Sequence, residues 1–164
     1  MKKILVLAAL FIGAAALQAE ESRGFQASLT PDIAIHPKTT EIRGLSLNIW
    51  GENPQHGCAL GFVNGSTGDS SGFTWGFFAN YAESYTGVAW SMVNISKTSF
   101  VGWQAGLVNY SEGHFKGLQM GFVNYAENLH GVQLGLANIA MNNGWFNEFP
   151  DKLATGFPFF NWSF

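Results

Sequence analysis

The sequence is poor in cysteine, in charge and in long apolar runs, and each shortage excludes a class of protein. Cys58 is the only cysteine among 164 residues, so no disulfide within the chain can hold the fold. Charged side chains make up 12% of the residues and aromatic ones 15%, whereas a soluble domain has about a quarter of its residues charged. Beyond residue 19, no apolar run reaches the roughly 20 residues that a membrane-spanning helix needs. So much evenly spread apolar surface must face something other than water.

Basic residues and chemical motifs are scarce as well. The net charge is −3, and about −5 without Lys2 and Lys3, so there is no basic patch from which a nucleic acid could release counterions. The sequence contains no nucleophile elbow, phosphate-binding loop or dinucleotide fingerprint. The spacing of a zinc site is also missing, and we interpret the histidines as solvated residues of connections: His36, His56, His114 and His130. We therefore predict no enzyme activity, no cofactor, no metal and no nucleic-acid partner.

The first 19 residues are typical of a secretory signal peptide. Lys2 and Lys3 form the positive n-region, and Ile4–Leu17 form an apolar run of the length of an h-region. Ala19 fits the last position of the signal. We expect an exported mature chain that forms one β domain over residues 20–164.

One short phrase is repeated six times between Gly57 and Ala140. Each copy opens with glycine and usually carries a second glycine four residues on and an asparagine three residues after that. Successive copies begin 15, 15, 15, 15 and 14 residues apart, and such a fixed period indicates a repeat architecture. A degenerate copy from Gly44 precedes them, so the repeats span approximately residues 44–140. The repeat-defining residues are Gly57, Gly61, Asn64, Gly72, Gly76, Gly87, Asn94, Gly102, Gly106, Asn109, Gly117, Gly121, Asn124, Gly131, Gly135 and Asn138.

Within a copy the apolar side chains alternate as they do in a strand. In the copy from Gly117, the side chains of Leu118, Met120 and Phe122 share one side, and Gln119 lies on the other. The copy from Gly72 has its asparagine one residue late, which suggests a bulge. The stretches between copies carry most of the charge and many turn formers, so we interpret them as solvated connections. We predict an all-β domain of repeated strand–turn units with one apolar side.

A closing strand is predicted from Gly156 to Phe164, after a loop over residues 141–155. Its aromatic side chains alternate on one side, at Phe160, Trp162 and Phe164. An aromatic closing strand that ends on phenylalanine resembles the C-terminal signal of bacterial outer-membrane barrel proteins. The resemblance implies the outer-membrane assembly machinery and membrane lipid as partners.

Two architectures fit the same repeat. The one that we favour from the sequence is an antiparallel up-and-down sheet or small β-barrel, because a tilted strand of about ten residues spans the roughly 25 Å apolar band of a membrane. The alternative is a β-solenoid with one coil per copy. It is supported by connections of nearly one length and by asparagines in register, since stacked amides stabilise parallel strands. Against the solenoid, its coil would be narrow and its outward side is expected to be polar.

The copies have the form Gly-hydrophobic-Gln-hydrophobic-Gly-hydrophobic-Val-Asn-Tyr at their clearest, and with the aromatic ending they resemble a family of bacterial surface repeat-containing proteins. The resemblance covers about residues 44–164 and implies a non-catalytic structural protein of the outer membrane or cell surface. The alternative function is an exported soluble adhesive or ligand-binding module, periplasmic or secreted, that uses the aromatic side chains of Trp75, Trp90 and Trp103. The sequence does not specify an oligomeric state.

Overall fold

The computed structural model describes residues 22–164, which form a β-solenoid of about seven coils. The signal peptide predicted over residues 1–19 lies outside the described residues. Successive coils lie side by side in one sheet, in the order β2-β1-β3-β4-β5-β6-β7-β8. The strands are β1 (Arg23–Thr30), β2 (Ile33–Ala34), β3 (Ile42–Asn53), β4 (His56–Trp90), β5 (Val93–Ala105), β6 (Val108–Met120), β7 (Val123–Ala140) and β8 (Gly156–Ser163).

Equivalent positions of successive copies pair in parallel. Gly102 pairs with Gly117 and Asn109 with Asn124, for example. Antiparallel pairing is confined to the two ends, where β2 lies on β1 and β8 lies on β7. The all-β prediction is confirmed, but the antiparallel sheet or barrel that we favoured is wrong, and the solenoid alternative is right. Both architectures require the same alternation of side chains along a strand. They differ in whether successive copies pair in parallel or antiparallel.

Three copies turn a corner at the position of the second glycine, which is Ser91 in one of them, whereas β4 and β7 continue through this position. The chain bends at Gly106–Leu107 and again at Gly121–Phe122, and strand pairing resumes immediately afterwards. A Cβ atom at Gly121 would lie against the carbonyl oxygen of Gly106, so the corners stack too closely for a side chain. The prediction of one ten-residue strand followed by a solvated connection is therefore wrong. The stretch from Tyr110 onwards is itself strand, within β6.

The first glycine of each repeat is required by its backbone conformation. Gly117 has φ +136°, and a Cβ atom there would overlap the carbonyl oxygen of Gly102 in the preceding coil. The same holds at every opening glycine from Gly57 to Gly131, whose φ values lie between +121° and +147°. Glycine populates this region without steric cost. Glycine therefore recurs at the start of each copy because the backbone conformation there requires it.

The interior of the solenoid contains a continuous ladder of asparagine side chains. The Nδ2 of Asn94 donates to Oδ1 of Asn109 at 2.9 Å, and Asn109 donates to Asn124 at 2.8 Å. From Asn64 to Asn138 each amide also donates to a backbone carbonyl, as Asn109 does to that of Met120 at 2.9 Å. Because these donors and acceptors are paired, the buried amides cost little. At the first rung, Oδ1 of Asn48 has no partner among the described residues. The ladder runs through Asn48, Asn64, Asn80, Asn94, Asn109, Asn124 and Asn138.

Glutamines and aromatic rings fill the rest of the narrow interior. The side chain of Gln133 donates to Gln119 at 2.8 Å, and Gln119 donates to Gln104 at 2.9 Å. The rings of Phe100 and Phe115 are stacked, with centroids 5.6 Å apart. A narrow coil thus closes because stacked amides and rings of one size repeat in register. The expectation that the outward side would be polar is also wrong, since the amides lie inside.

Two copies depart from the repeat and keep the ladder intact. In the first coil, Asn48 pairs with Gly61 and Gly51 pairs with Asn64, so asparagine and glycine have exchanged places. The Asn48 side chain reaches into the space left by Gly51 and donates to Asn64 at 2.9 Å. In the copy from Gly72, the late asparagine Asn80 still pairs with Asn94, and a register shift after Ala82 compensates for the extra residue.

Candidate functional surface

The outward side chains of the solenoid form one broad hydrophobic surface, which we call the apolar face. It runs along the strand before each corner and over the corner itself, roughly 30 Å from the first coil to the last at about 4.8 Å per strand. Exposed aromatic and aliphatic side chains recur in rows. They include Leu47, Ile49, Phe62, Phe73, Trp75, Phe77, Trp90, Met92, Trp103, Leu107, Met120, Phe122, Leu134, Leu136 and Phe160.

Stacking of the coils positions the corner row of this face. The backbone amide of Leu107 donates to the carbonyl of Met92 and that of Phe122 to the carbonyl of Leu107, both at 2.9 Å. These side chains therefore follow one another at strand spacing. The exposed fractions are 40% at Met92, 47% at Leu107 and 56% at Phe122. Contiguous apolar area of this extent is typical of an interaction surface.

Charge is segregated from the apolar face along each coil. From each opening glycine to just beyond the ladder asparagine the six copies contain no charged residue, as in 102–111 and 117–126. The charges lie in the remainder of the coil, at Glu83, Lys97, Glu112, Lys116 and Glu127 among others. The solenoid is thus amphipathic from side to side, with the apolar face on one side and a charged edge on the other.

A groove lies at the N-terminal end of the apolar face, under the hairpin of β1 and β2. Its volume is about 920 Å³, within the range of small-molecule sites. Leu29, Ile33 and Ile35 of the hairpin form one wall, and side chains of β3 and β4 form the other. The lining residues of β3 and β4 are Leu47, Asn48, Ile49, Leu60, Gly61, Phe62, Trp75 and Phe77.

A polar cluster lies around Tyr81, on the strand segments that follow the corners. The indole Nε1 of Trp50 donates to the Tyr81 hydroxyl at 3.0 Å, and that hydroxyl donates to Oε2 of Glu52 at 2.7 Å. Burial, and after it the nearby Glu52 carboxylate, raises the pKa of Tyr81 to about 12. The cluster joins the first coil to the third, across Gly65 of the coil between them.

A serine, a histidine and a glutamate meet at the charged edge, an arrangement that the sequence interpretation missed. The Nδ1 of His56 lies 2.8 Å from the Ser71 hydroxyl, and its Nε2 lies 3.1 Å from Glu41. The hydrogen bond from Arg43 lowers the pKa of the Glu41 carboxyl. The residue types are those of a hydrolytic triad. However, the amide of Ser71 donates to the carbonyl of Gln55 at 2.7 Å and is not free to hold an oxyanion.

The signal for this trio was present in the spacing. His56 and Ser71 each directly precede an opening glycine and are 15 residues apart. In a parallel solenoid such residues are neighbours, whereas in an antiparallel sheet they are not. We interpreted His56 as a solvated residue of a connection. That interpretation is wrong, because its ring contacts both Ser71 and Glu41.

The residues singled out from the sequence separate into two groups. The repeat-defining glycines and asparagines are buried or packed against the neighbouring coil, where they build the scaffold. The tryptophans Trp75, Trp90 and Trp103 are exposed together on the apolar face. At the end of the chain, the rings of Phe160 and Trp162 are stacked 5.9 Å apart and Phe164 is exposed. Only the aromatic residues are therefore available to a partner.

Within residues 22–164 no helix is long and apolar enough to cross a membrane. In the same part of the chain, histidine, cysteine and carboxylate side chains do not come together in threes as a metal site requires. Comparison with known proteins finds no matching family model, no matching curated protein and no matching solved structure.

Proposed function

We propose that this chain is a non-catalytic, exported structural protein that lies on the outer membrane with its apolar face against lipid. The observation that carries the proposal is the segregation of side chains around each coil. Most of the exposed aromatic and aliphatic residues of the repeats occupy one side, with exceptions such as Trp50 and Tyr110, and that side carries no charged residue in the six copies. An amphipathic element with this distribution binds in the plane of a lipid interface.

The energetics favour such an orientation. Complete burial of a large apolar side chain contributes about 1.5–3 kcal/mol. Corner residues such as Leu107, Phe122 and Leu136 have roughly half of their surface in water. Burial of the exposed half of all fifteen side chains of the face would contribute on the order of 11–22 kcal/mol, which is comparable with or larger than the cost of immobilising one molecule on a surface, estimated at about 4–15 kcal/mol. Because the backbone groups of the coils pair with one another, the face can lie in lipid without unpaired amides.

Export and the outer-membrane location are supported by the sequence signals and belong to the same proposal. The N-terminal segment has the features of a signal peptide. The terminal aromatic residues Phe160, Trp162 and Phe164 resemble the signal that the outer-membrane assembly machinery recognises. Fractionation of cells that express the full chain tests this part. Recovery of the protein in the soluble periplasm or the medium would contradict the location.

Vesicle flotation tests the orientation. Purified residues 20–164 are mixed with neutral phosphatidylcholine vesicles and centrifuged through a density gradient, and we expect the protein to rise with the vesicles. Phe122→Glu places a charge at the centre of the apolar face and is expected to reduce flotation severalfold. Tyr110→Glu, an aromatic-to-acid change outside the apolar face on the strand segment that follows the corner, is the matched control and should leave flotation unchanged.

The flotation result can contradict the proposal in two ways. Wild-type protein that stays at the bottom of the gradient has no affinity for lipid. Equal loss of flotation in Phe122→Glu and Tyr110→Glu would mean that the apolar face has no special role.

The second candidate function is an exported soluble binding module, and the grouping of Trp75, Trp90 and Trp103 on one face favours it. Aromatic faces offer large, rigid apolar contact areas. This function predicts saturable changes in tryptophan fluorescence on addition of a carbohydrate or peptide, and their loss in the three alanine variants. Absence of flotation together with such binding would select the module over the membrane protein.

A further inference from the structure

We infer that, in water, two copies of the chain pack apolar face against apolar face as a symmetric dimer. The inference rests on the same face as the proposed function and names the partner that covers this face in the absence of lipid. Because one face cannot be covered by lipid and by a second copy at once, the two states compete by mass action.

A groove runs along the apolar face at the positions of the second glycines, and we call it the glycine groove. One section is lined by Gly106, Gly121 and Gly135 together with neighbouring apolar side chains, and its volume is about 380 Å³. The adjoining section has Gly76, Ser91 and again Gly106 in its lining, and its volume is about 340 Å³. A cavity of about 150 Å³ accommodates one benzene ring, so each section is large enough for two side chains of that size.

Ridges of large apolar side chains flank the glycine groove on both sides. One ridge consists of the residues that directly follow the second-glycine positions, which are Phe77, Met92, Leu107, Phe122 and Leu136. The other consists of residues that directly precede them, which are Trp75, Trp90, Met120 and Leu134. All of these residues are exposed by between 38% and 59%. Since one surface carries both ridges and a groove, a ridge of one copy fits the groove of another, as the self-complementary contact of a two-fold symmetric dimer requires.

The area of the apolar face is sufficient for a stable dimer. Eight of the fifteen side chains that form the face are aromatic, and they are exposed by between 37% and 56%. An aromatic side chain buries about 150–250 Å², so these side chains alone expose on the order of 700 Å². The aliphatic side chains add to this area, and a standard interface buries about 800 Å² of each partner. The face of one chain therefore reaches the size of a specific interface.

Charge does not oppose the contact, although each chain is acidic. From each opening glycine to just beyond the ladder asparagine the six copies contain no charged residue, so no like charges from the two faces meet in the interface. The buried core of a protein interface is depleted of charged residues and enriched in tryptophan, phenylalanine and methionine. The apolar face has this composition.

Sedimentation velocity of the mature chain, without lipid or detergent, tests the dimer. We expect a reversible equilibrium between one chain and two that shifts toward the dimer as the protein concentration rises. Phe122→Glu places a carboxylate on the ridge of each copy, and a two-fold axis brings both charges into the same interface. We expect this variant to weaken dimerisation at least about a hundredfold. Tyr110→Glu, the control outside the apolar face, should dimerise as the wild type does.

A second variant separates packing against a folded partner from binding to lipid. Ala105 lies in register between Trp90 and Met120, at a gap in one ridge. Ala105→Trp fills this gap, so it adds apolar area and changes the shape of the ridge. Fluid lipid adapts to the new shape, whereas a second folded copy does not. We expect dimerisation at least about tenfold weaker and flotation at least equal to that of the wild type, with circular dichroism confirming that the variant keeps the fold.

The inference is overturned if the wild type sediments as one chain at every concentration, or if its mass keeps rising beyond two chains. Dimerisation of Phe122→Glu or Ala105→Trp at the wild-type affinity would also overturn it. These outcomes are distinct from vesicle flotation. A chain that floats but stays monomeric in water keeps the membrane role and loses the dimer, and a chain that dimerises but does not float shows the reverse.

Discussion

At the scale of single residues, the opening glycines are the positions with the least freedom. Gly117→Ala would force a positive φ on alanine and press its Cβ against the Gly102 carbonyl. We expect a loss of more than about 2 kcal/mol in the free energy of unfolding, measured by urea denaturation. Gly24→Ala is the control, because no atom lies within 4 Å of the added Cβ, and it should be nearly neutral. Equal stability of the two variants would contradict the backbone constraint.

The hydroxyl group of Tyr85 is buried and makes no hydrogen bond within the described residues. The ring of Tyr85 is stacked on Phe100 at 5.7 Å. Tyr85→Phe keeps the stack and removes the unpaired group, so we expect the protein to become about 1 kcal/mol more stable. Thermal unfolding at pH 7 measures the change. A clear loss of stability would indicate that the hydroxyl is paired after all.

The tyrosines also determine how stability changes with alkaline pH. Burial raises the pKa of Tyr85, and it raises that of Tyr81 to about 12. Above the ordinary tyrosine pKa of about 10, the unfolded chain releases protons that the folded chain retains. The unfolded state then binds fewer protons, so stability falls as the pH rises from about 10 to 12. Chemical denaturation across that range should show the fall, and Tyr85→Phe should reduce its slope.

The trio at the charged edge yields a prediction against catalysis. The Ser71 amide is bonded to the Gln55 carbonyl and does not form an oxyanion hole. We expect no labelling of Ser71 by a fluorophosphonate probe, with a serine hydrolase as the positive control. Labelling that disappears in Ser71→Ala would reassign the protein as an enzyme.

At the scale of elements, the asparagine ladder joins the coils. Asn109→Ala removes the donor to Asn124 and the acceptor of Asn94, and it leaves the Met120 carbonyl without its side-chain partner. We expect a loss on the order of 3 kcal/mol, from lost bonds and orphaned buried groups. Denaturant unfolding measures it. The exposed Asn128 in the adjacent coil provides the control, and its alanine variant should differ little from the wild type.

At the scale of the whole molecule, the apolar face predicts how lipid binding responds to salt. The face is uncharged, and the chain carries net negative charge, so attraction to lipid headgroups does not contribute. We expect flotation with neutral vesicles to be unchanged between low and high salt, whereas an electrostatic mechanism would weaken as screening increases. Loss of flotation in high salt would contradict binding through the apolar face.

The β content, the period and the outward apolar side chains could be predicted from the sequence. These properties are local, since alternation and glycine spacing recur within each copy. The corners could not be predicted, because the tight contact of Gly121 with Gly106 exists only once the coils stack. The trio of Glu41, His56 and Ser71 was missed for the same reason, as its members become neighbours only when the coils run parallel.

The sequence by itself determined that this protein is a repeat of strands with one apolar side, because side-chain period and composition are written in every copy. Only the tertiary structure decided whether successive copies pair in parallel or antiparallel. Parallel and antiparallel return place the same residues on the same sides of a strand. The two differ in which backbone groups pair and in whether Asn94, Asn109 and Asn124 stack, and those contacts form between copies and not within them.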